Sequence, residues 1–251
     1  MRESTRRRFA AVLVLIMAGA LTACNGSGGN SGASAPSLVP PVSSTFENPG
    51  PDVLGPIGIY PGEVVGRDDK FNPKDGDMTN GGHGNKVGNV PCDPVEHINQ
   101  YHVHAYLGLI VNGKQVAIPD AIGMTGPGPE VQGYISKAKC YYYIHTHDAS
   151  GLIHIEDPRN FAFSTSQYTM STPLAIWGIS YGPNNFGSFT GAVHVFVGNV
   201  PLKTTQVTKY SAWTKGLAKV PLYSHTAVWV EVGTPFLTAK QLPSVTFYTE
   251  Y

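Results

Sequence analysis

Tyr143-Ile-His-Thr-His-Asp-Ala-Ser-Gly-Leu-Ile-His-Ile-Glu156 is the stretch on which the fold turns. On both sides of Asp148-Ala-Ser-Gly151 it alternates between apolar and polar residues, the period of a half-buried strand. The central four residues are turn formers. A hairpin closed by that turn sets His147 opposite Leu152, His145 opposite His154, and Tyr143 opposite Glu156. Directly opposed residues hold their Cβ atoms about 5 Å apart. Three histidines and a carboxylate then share one face, with Ile144, Ile153 and Ile155 on the other. A loop of any other length would break that alignment.

Upstream, Gln100-Tyr-His-Val-His-Ala-Tyr106 has the same character. Tyr101 to Val111 reads as a strand, Asn112-Gly113 as a two-residue hairpin turn, and Lys114 to Ile118 as the returning strand. Lys139 to His147 is the first arm of the second hairpin. Gly191 to Val200, Leu222 to Gly233 and Ser244 to Tyr248 are further strands. Thr172 to Gly178 reads as a short capped helix. Asp93-Pro-Val-Glu96 reads as the start of another, running to about Asn99, with a capping residue, Pro in the first turn and Glu three positions on. Long helical periodicity is absent. Short strands separated by turn residues predict an all-β fold, an antiparallel sandwich or barrel with one or two short helices. The body is one domain over residues 46–251. Its first part, 46–91, is rich in Gly, Pro, Asn and Asp. The acidic run Arg67 to Asp77 in that part lacks the spacing of a calcium-binding loop.

Alternation also assigns faces. Val103, Ala105, Leu107, Leu109 and Val111 form an apolar side opposite His102, His104 and Tyr106. Val193, Val195 and Val197 oppose His194, while Val228, Val230 and Val232 oppose His225 and Glu231. The histidines fall on what reads as the half-wet face. His194 and His225 read as ordinary residues of that face, and His83 as exposed.

In a strand, residues i and i+2 point the same way. His102-Val-His104 and His145-Thr-His147 therefore each present two imidazoles side by side, and neutral imidazole is the commonest protein metal ligand. The expected ligands are His102, His104, His145 and His147, with His154 able to replace one of them. Such a set suits zinc, copper, iron or nickel over magnesium or calcium, with zinc or copper first. Cys92 and Cys140 precede the two histidine segments and read as a disulfide; free thiols or metal thiolates are the alternatives. A blue-copper centre needs a free cysteine and is disfavoured. Three functions follow. The domain binds a transition metal, or it is a metal-dependent hydrolase or oxidoreductase with Glu156 or Asp148 as base or orienting group. In the third, it is a metal-free ligand-binding or structural protein that uses its tyrosines, Tyr101, Tyr106 and Tyr141 to Tyr143.

The first residues are an address. Arg2, Arg6, Arg7 and Arg8 precede an apolar run, Ala10 to Ala20, that is short for a membrane span. Leu21-Thr22-Ala23-Cys24 follows. This order resembles bacterial lipoprotein signals, in which the chain is cut before the cysteine and the cysteine is lipidated. The resemblance implies a signal over 1–23, Cys24 as a lipid anchor in a membrane, and a location on the periplasmic or cell-surface side. Residues 24–45, rich in Gly, Ser and Pro, then form a flexible tether. Removing the signal leaves 13 basic against 16 acidic residues. No basic excess remains, and nucleic acid is excluded as an expected partner.

His145-Thr-His-Asp148 resembles the opening of the metallo-β-lactamase His-X-His-X-Asp-His motif. However, the Asp comes one place early and the last His is missing. His102-Val-His104 is similar to the cupin pair, but Gly108 and Leu109 stand where cupins carry Glu. The segments Tyr101-His-Val-His-Ala105, Val111-Asn-Gly-Lys114, Ile118-Pro119, Tyr143 to Glu156, Ile176-Trp-Gly178 and Val232-Gly-Thr-Pro235 resemble an uncharacterised family of exported microbial proteins. That resemblance implies kinship and export, and carries no reaction with it.

Overall fold

Alternation along one eleven-residue strand organises the molecule. The computed structural model describes residues 55–66 and 81–248. The expected signal, Cys24, the tether and the acidic run 67–77 lie outside the described residues. In chain order come β1 (Ile57–Ile59), β2 (Cys92–Asp93), β3 (Tyr101–Val111), β4 (Lys114–Val116), β5 (Met124–Thr125) and β6 (Cys140–Tyr142). Next are β7 (Ile144–His145), β8 (Leu152–Asp157), β9 (Tyr168–Thr169) and helix α1 (Ser171–Trp177). A small meander follows, of β10 (Tyr181–Gly182), β11 (Asn185–Phe186) and β12 (Phe189–Thr190). The rest are β13 (Val193–Asn199), β14 (Gln206–Val207), β15 (Ser211–Ala212), β16 (Pro221–Leu222), β17 (Thr226–Val232) and β18 (Val245–Phe247).

The central sheet runs β15-β13-β17-β3-β8-β7, with β4 also on β3. Most of its pairs are antiparallel, but β17 lies parallel to β3. A second sheet, β1-β18-β14, covers one face, and α1 packs on the other, so the architecture is an all-β sandwich with a short helix. None of the sheets closes into a barrel. Asn112 and Gly113 both take positive φ, 49° and 74°, as the expected two-residue turn demands. Helix α1 ends at Gly178, whose left-handed backbone (φ 79°) lets its N–H reach Leu174 O.

Two expectations need correction. The face opposite Val103 and Leu107 is not half-wet. Val103, Ala105, Leu107 and Leu109 join Ile144, Ile153, Ile155, Val228 and Trp177 in one apolar cluster. Tyr106 and Ile110 join Leu152, Ala227, Trp229, Val245 and Phe247 in a second cluster, on the other face. Both faces of the sheet are buried at its centre, over β3, β8 and β17. The indole of Trp229 lies so close over Gly108 that a Cβ there would stand 2.3 Å from the ring.

The second correction concerns residues 93–99, which form no helix. Asp93 Oδ1 instead accepts the Val95 N–H at 2.9 Å, and Oδ2 lies 3.1 Å from His97 Nε2. Asp93 thus makes a local side-chain turn. A run this short gains too little from helical hydrogen bonds to nucleate, and Cys92 and Asp93 are already paired with Tyr142 and Tyr141 of β6. The expected bridge is present: Cys92 and Cys140 form a disulfide with a Cα–Cα distance of 5.4 Å.

Candidate metal centre

Strand pairing sets the histidines in rows. Across β3, β8 and β7, His104 lies opposite His154, and His154 opposite His145. One rung along, His102 lies opposite Glu156, and Glu156 N–H donates to Tyr143 O at 2.7 Å. The expected pairings of His145 with His154 and of Tyr143 with Glu156 are therefore observed, but His147 does not pair with Leu152, because β7 ends at His145. These side chains share the face of Tyr106 and Leu152, at one end of the sandwich. His104, His145, His147, His154 and Glu156 are all buried.

Their ligand atoms fall into two adjoining groups. One comprises His102, His104 and His154; the other comprises Glu96, His145, His147 and Glu156. Within each group, one ligand atom per residue lies within 4.8 Å of all the others. The expected ligands all belong to this patch, yet the structure divides them, and His154 goes with His102 and His104. His154 still touches both sides. Its ring centroid is 4.7 Å from that of His104 and 4.7 Å from that of His147, and it stacks on His145 at 5.6 Å.

The second group is the sharper. His145 Nδ1 lies 2.8 Å from Tyr142 O, and His147 Nδ1 lies 2.6 Å from Ile135 O. A carbonyl only accepts, so each Nδ1 carries the proton and donates. In the neutral rings both Nε2 atoms are then bare lone pairs, and they stand 3.0 Å apart. Glu96 Oε1 lies 3.0 Å from His147 Nε2 and 3.6 Å from His145 Nε2. Glu156 Oε2 is 3.9 Å from His145 Nε2. Three electron-rich atoms converge at close range in a buried place. Such a set calls for a positive charge at its centre, a proton or a metal ion. Tyr134 stacks on the His147 ring, with centroids 4.7 Å apart, and fixes its plane.

The titration behaviour follows the same geometry. Burial pushes the Glu96 carboxyl up, but hydrogen bonds and charge from His145 and His147 outweigh it and hold the group well below the usual carboxylate range. Burial depresses His145, and Glu96 and Glu156 more than reverse that effect, raising it. His104 and His154, deeper in the sheet, are pushed well below the ordinary histidine value by burial, with neighbouring histidines adding to the effect. Burial lowers His102 as well, against the pull of Glu156. In the metal-free protein these three rings are neutral near pH 7, the form that binds metals.

Glu96 was hidden from sequence reasoning, which placed it in the first turn of a helix. It reaches the patch from the irregular segment after β2, a segment tied to β6 by the disulfide. It is also the member of its group with the most solvent contact, its side chain 26% exposed. Asp148 points elsewhere. Its Oδ2 accepts the Gly62 N–H at 2.8 Å, and its Oδ1 accepts the Ser150 N–H at 3.1 Å and the Ser150 hydroxyl at 2.5 Å. It holds loops together beside the patch. Burial raises its pKa, and those hydrogen bonds only partly offset the effect.

His194 is exposed and stacks on Phe236. His225 is buried against Phe247. His83 is exposed, as expected. Tyr101, Tyr106 and Tyr142 are buried. Tyr101 donates to Thr165 O at 2.8 Å, and Tyr142 donates to Asn85 O. Tyr141 is buried too, so these four tyrosines form no open platform for a ligand; Tyr143 alone of the five is half-buried.

Set against protein-family models, curated proteins and solved structures, the chain matches none.

Proposed function

We propose that this chain is an exported, lipid-anchored β-domain that binds a transition metal ion at Glu96, His145, His147 and Glu156. One observation carries the metal reading: two Nε2 lone pairs 3.0 Å apart, each fixed by an Nδ1–H donating to a backbone carbonyl, with a carboxylate oxygen against both. Imidazole held by a second hydrogen bond at Nδ1 is the usual form of a metal-ligating histidine. Two nitrogens and two carboxylates suit zinc first and copper next among the common ions. Export and anchoring at Cys24 rest on the basic n-region, the apolar run and the Leu-Thr-Ala-Cys box.

A metal-dependent enzyme is the second reading, favoured by one feature. Glu96 sits on the rim of an otherwise buried patch, so an ion beside it is within reach of water or a small substrate. Glu156 would then be a ligand or base of the reaction.

Elemental analysis of the full chain purified without a His-tag tests the metal reading. Stoichiometric zinc or copper in the wild type, lost in His145→Ala/His147→Ala, is the expected result. Metal-free protein that gains no thermal stability from added zinc or copper overturns it.

A further inference from the structure

We propose that the histidine patch is dinuclear. A second divalent transition-metal ion is bound by His102, His104 and His154 and joined to the first through the carboxylate of Glu156. This deepens the single-ion reading above and rests on it.

The geometry of Glu156 points both ways. Its Oε1 lies 3.1 Å from His102 Nε2 and 3.4 Å from His154 Nδ1. Its Oε2 faces the other group, 3.9 Å from His145 Nε2. One oxygen thus serves each set of imidazoles, the arrangement of a bridging carboxylate. Two-metal centres hold their ions about 3.5–4 Å apart, within the span of such a bridge.

The first group of imidazoles is itself a ligand set. The His102 and His104 ring centroids are 4.7 Å apart, as are those of His104 and His154, and His102 to His154 is 5.8 Å. A zinc–nitrogen bond of about 2.0–2.1 Å puts tetrahedral co-ligands about 3.4 Å apart. Ligand atoms already within 4.8 Å of one another need only small ring rotations to reach that spacing. Two buried atoms supply independent support. His154 Nδ1 and Glu156 Oε2 make no hydrogen bond among the described residues, and both side chains are more than nine-tenths buried. A polar atom left so is costly, and a pair of ions gives both atoms a partner. With the second ion in place, each metal has three ligands of its own, plus one oxygen of Glu156.

The test uses the full chain, stripped with a chelator and titrated with Cu2+. Two equivalents are expected, and the doubly loaded wild type should show the exchange-coupled electron paramagnetic spectrum of neighbouring ions. His102→Gln should bind the second equivalent at least tenfold more weakly and keep the first. Glu156→Gln should lose the coupling. One equivalent in the wild type, insensitive to His102→Gln but lost in His147→Gln, overturns the dinuclear inference and leaves the single-ion reading intact. No binding at all overturns both. Two equivalents with isolated-ion spectra overturn the bridge. The wild-type stoichiometry and spectrum need no variant to fold, so they decide the matter even if a substitution disrupts the sheet.

Discussion

His145 and His147 bring their Nε2 atoms to 3.0 Å although only His145 lies in a strand. The chain leaves the sheet after β7, yet His147 stays beside its neighbour because its Nδ1 is held by Ile135 O and its N-terminal neighbour Thr146 is tied to Ile122 through backbone and side chain. Imidazoles fixed in this way are ready to bind before an ion arrives. Binding then has little side-chain ordering to offset.

Glu96 supplies the test of the rim. Glu96→Gln keeps the shape and removes the charge. Affinity for zinc or copper should fall by about tenfold or more, equivalent to about 1.4 kcal/mol or more. The metal-free protein should also lose stability above about pH 4.5, because the carboxylate that His145 and His147 hold well below its usual range is gone. Competition titration against a chromophoric chelator reads the affinity; an unchanged value would remove Glu96 from the ligand set.

Asp148 separates scaffold from site. Its carboxylate ties Gly62 to the β7–β8 turn across 86 residues. Asp148→Ala leaves the Gly62 and Ser150 donors without that acceptor and should cost about 1–3 kcal/mol of stability. Metal stoichiometry should be retained. Denaturant unfolding beside elemental analysis checks both, and loss of metal from a folded variant would place Asp148 in the centre.

Much of this was legible in advance, and the reasons are local. The limits of β3, the turn at Asn112-Gly113 and the pairing of His145 with His154 follow from period-two alternation and a counted loop. Glu96 was not legible, because its position depends on a disulfide partner 48 residues away rather than on its neighbours. The parallel pairing of β17 with β3 is likewise non-local. Burial of both sheet faces did leave a trace. Leu107 to Val111, with Ile110 among them, and Ala227 to Val230, with Trp229 among them, are nearly continuous apolar runs, the mark of a strand covered on both sides.

Glu231 predicts a pH effect far from the patch. It is buried, with one oxygen accepting the Leu237 N–H at 2.9 Å and the other without a hydrogen bond among the described residues. Burial pushes it up to about 7, partly offset by that N–H. The folded state therefore binds more protons than the unfolded state between about pH 4.5 and 7, and stability declines as pH rises through that window. Glu231→Gln removes the loss. The variant should match the wild type near pH 4 and exceed it above pH 7, by on the order of 3 kcal/mol. Urea unfolding at the two pH values measures the difference; an equal effect at both would contradict it.

Gly108 tests the packing beneath Trp229. A methyl group there would lie 2.3 Å from the indole, so Gly108→Ala must displace the ring or the strand. About 1–3 kcal/mol of destabilisation is expected. The double variant Gly108→Ala/Trp229→Leu should show less than the sum of the two single effects, because the shared clash is gone. Strict additivity in denaturant unfolding would mean that the two residues do not meet.

The Cys92–Cys140 bridge makes assembly of the centre conditional. Strand hydrogen bonds alone align His102, His104, His145, His154 and Glu156, so that part forms whenever the sheet does. Glu96 stands four residues beyond Cys92, on a segment held to β6 by the two-residue β2 ladder and the sulfur–sulfur bond. With both thiols reduced, the loop that carries it is released from its covalent tie, and the rim side of the proposed centre is less well defined. On the proposed metal reading, full affinity should therefore develop only after oxidation, which orders the two events: the thiols pair first, and an ion is captured second.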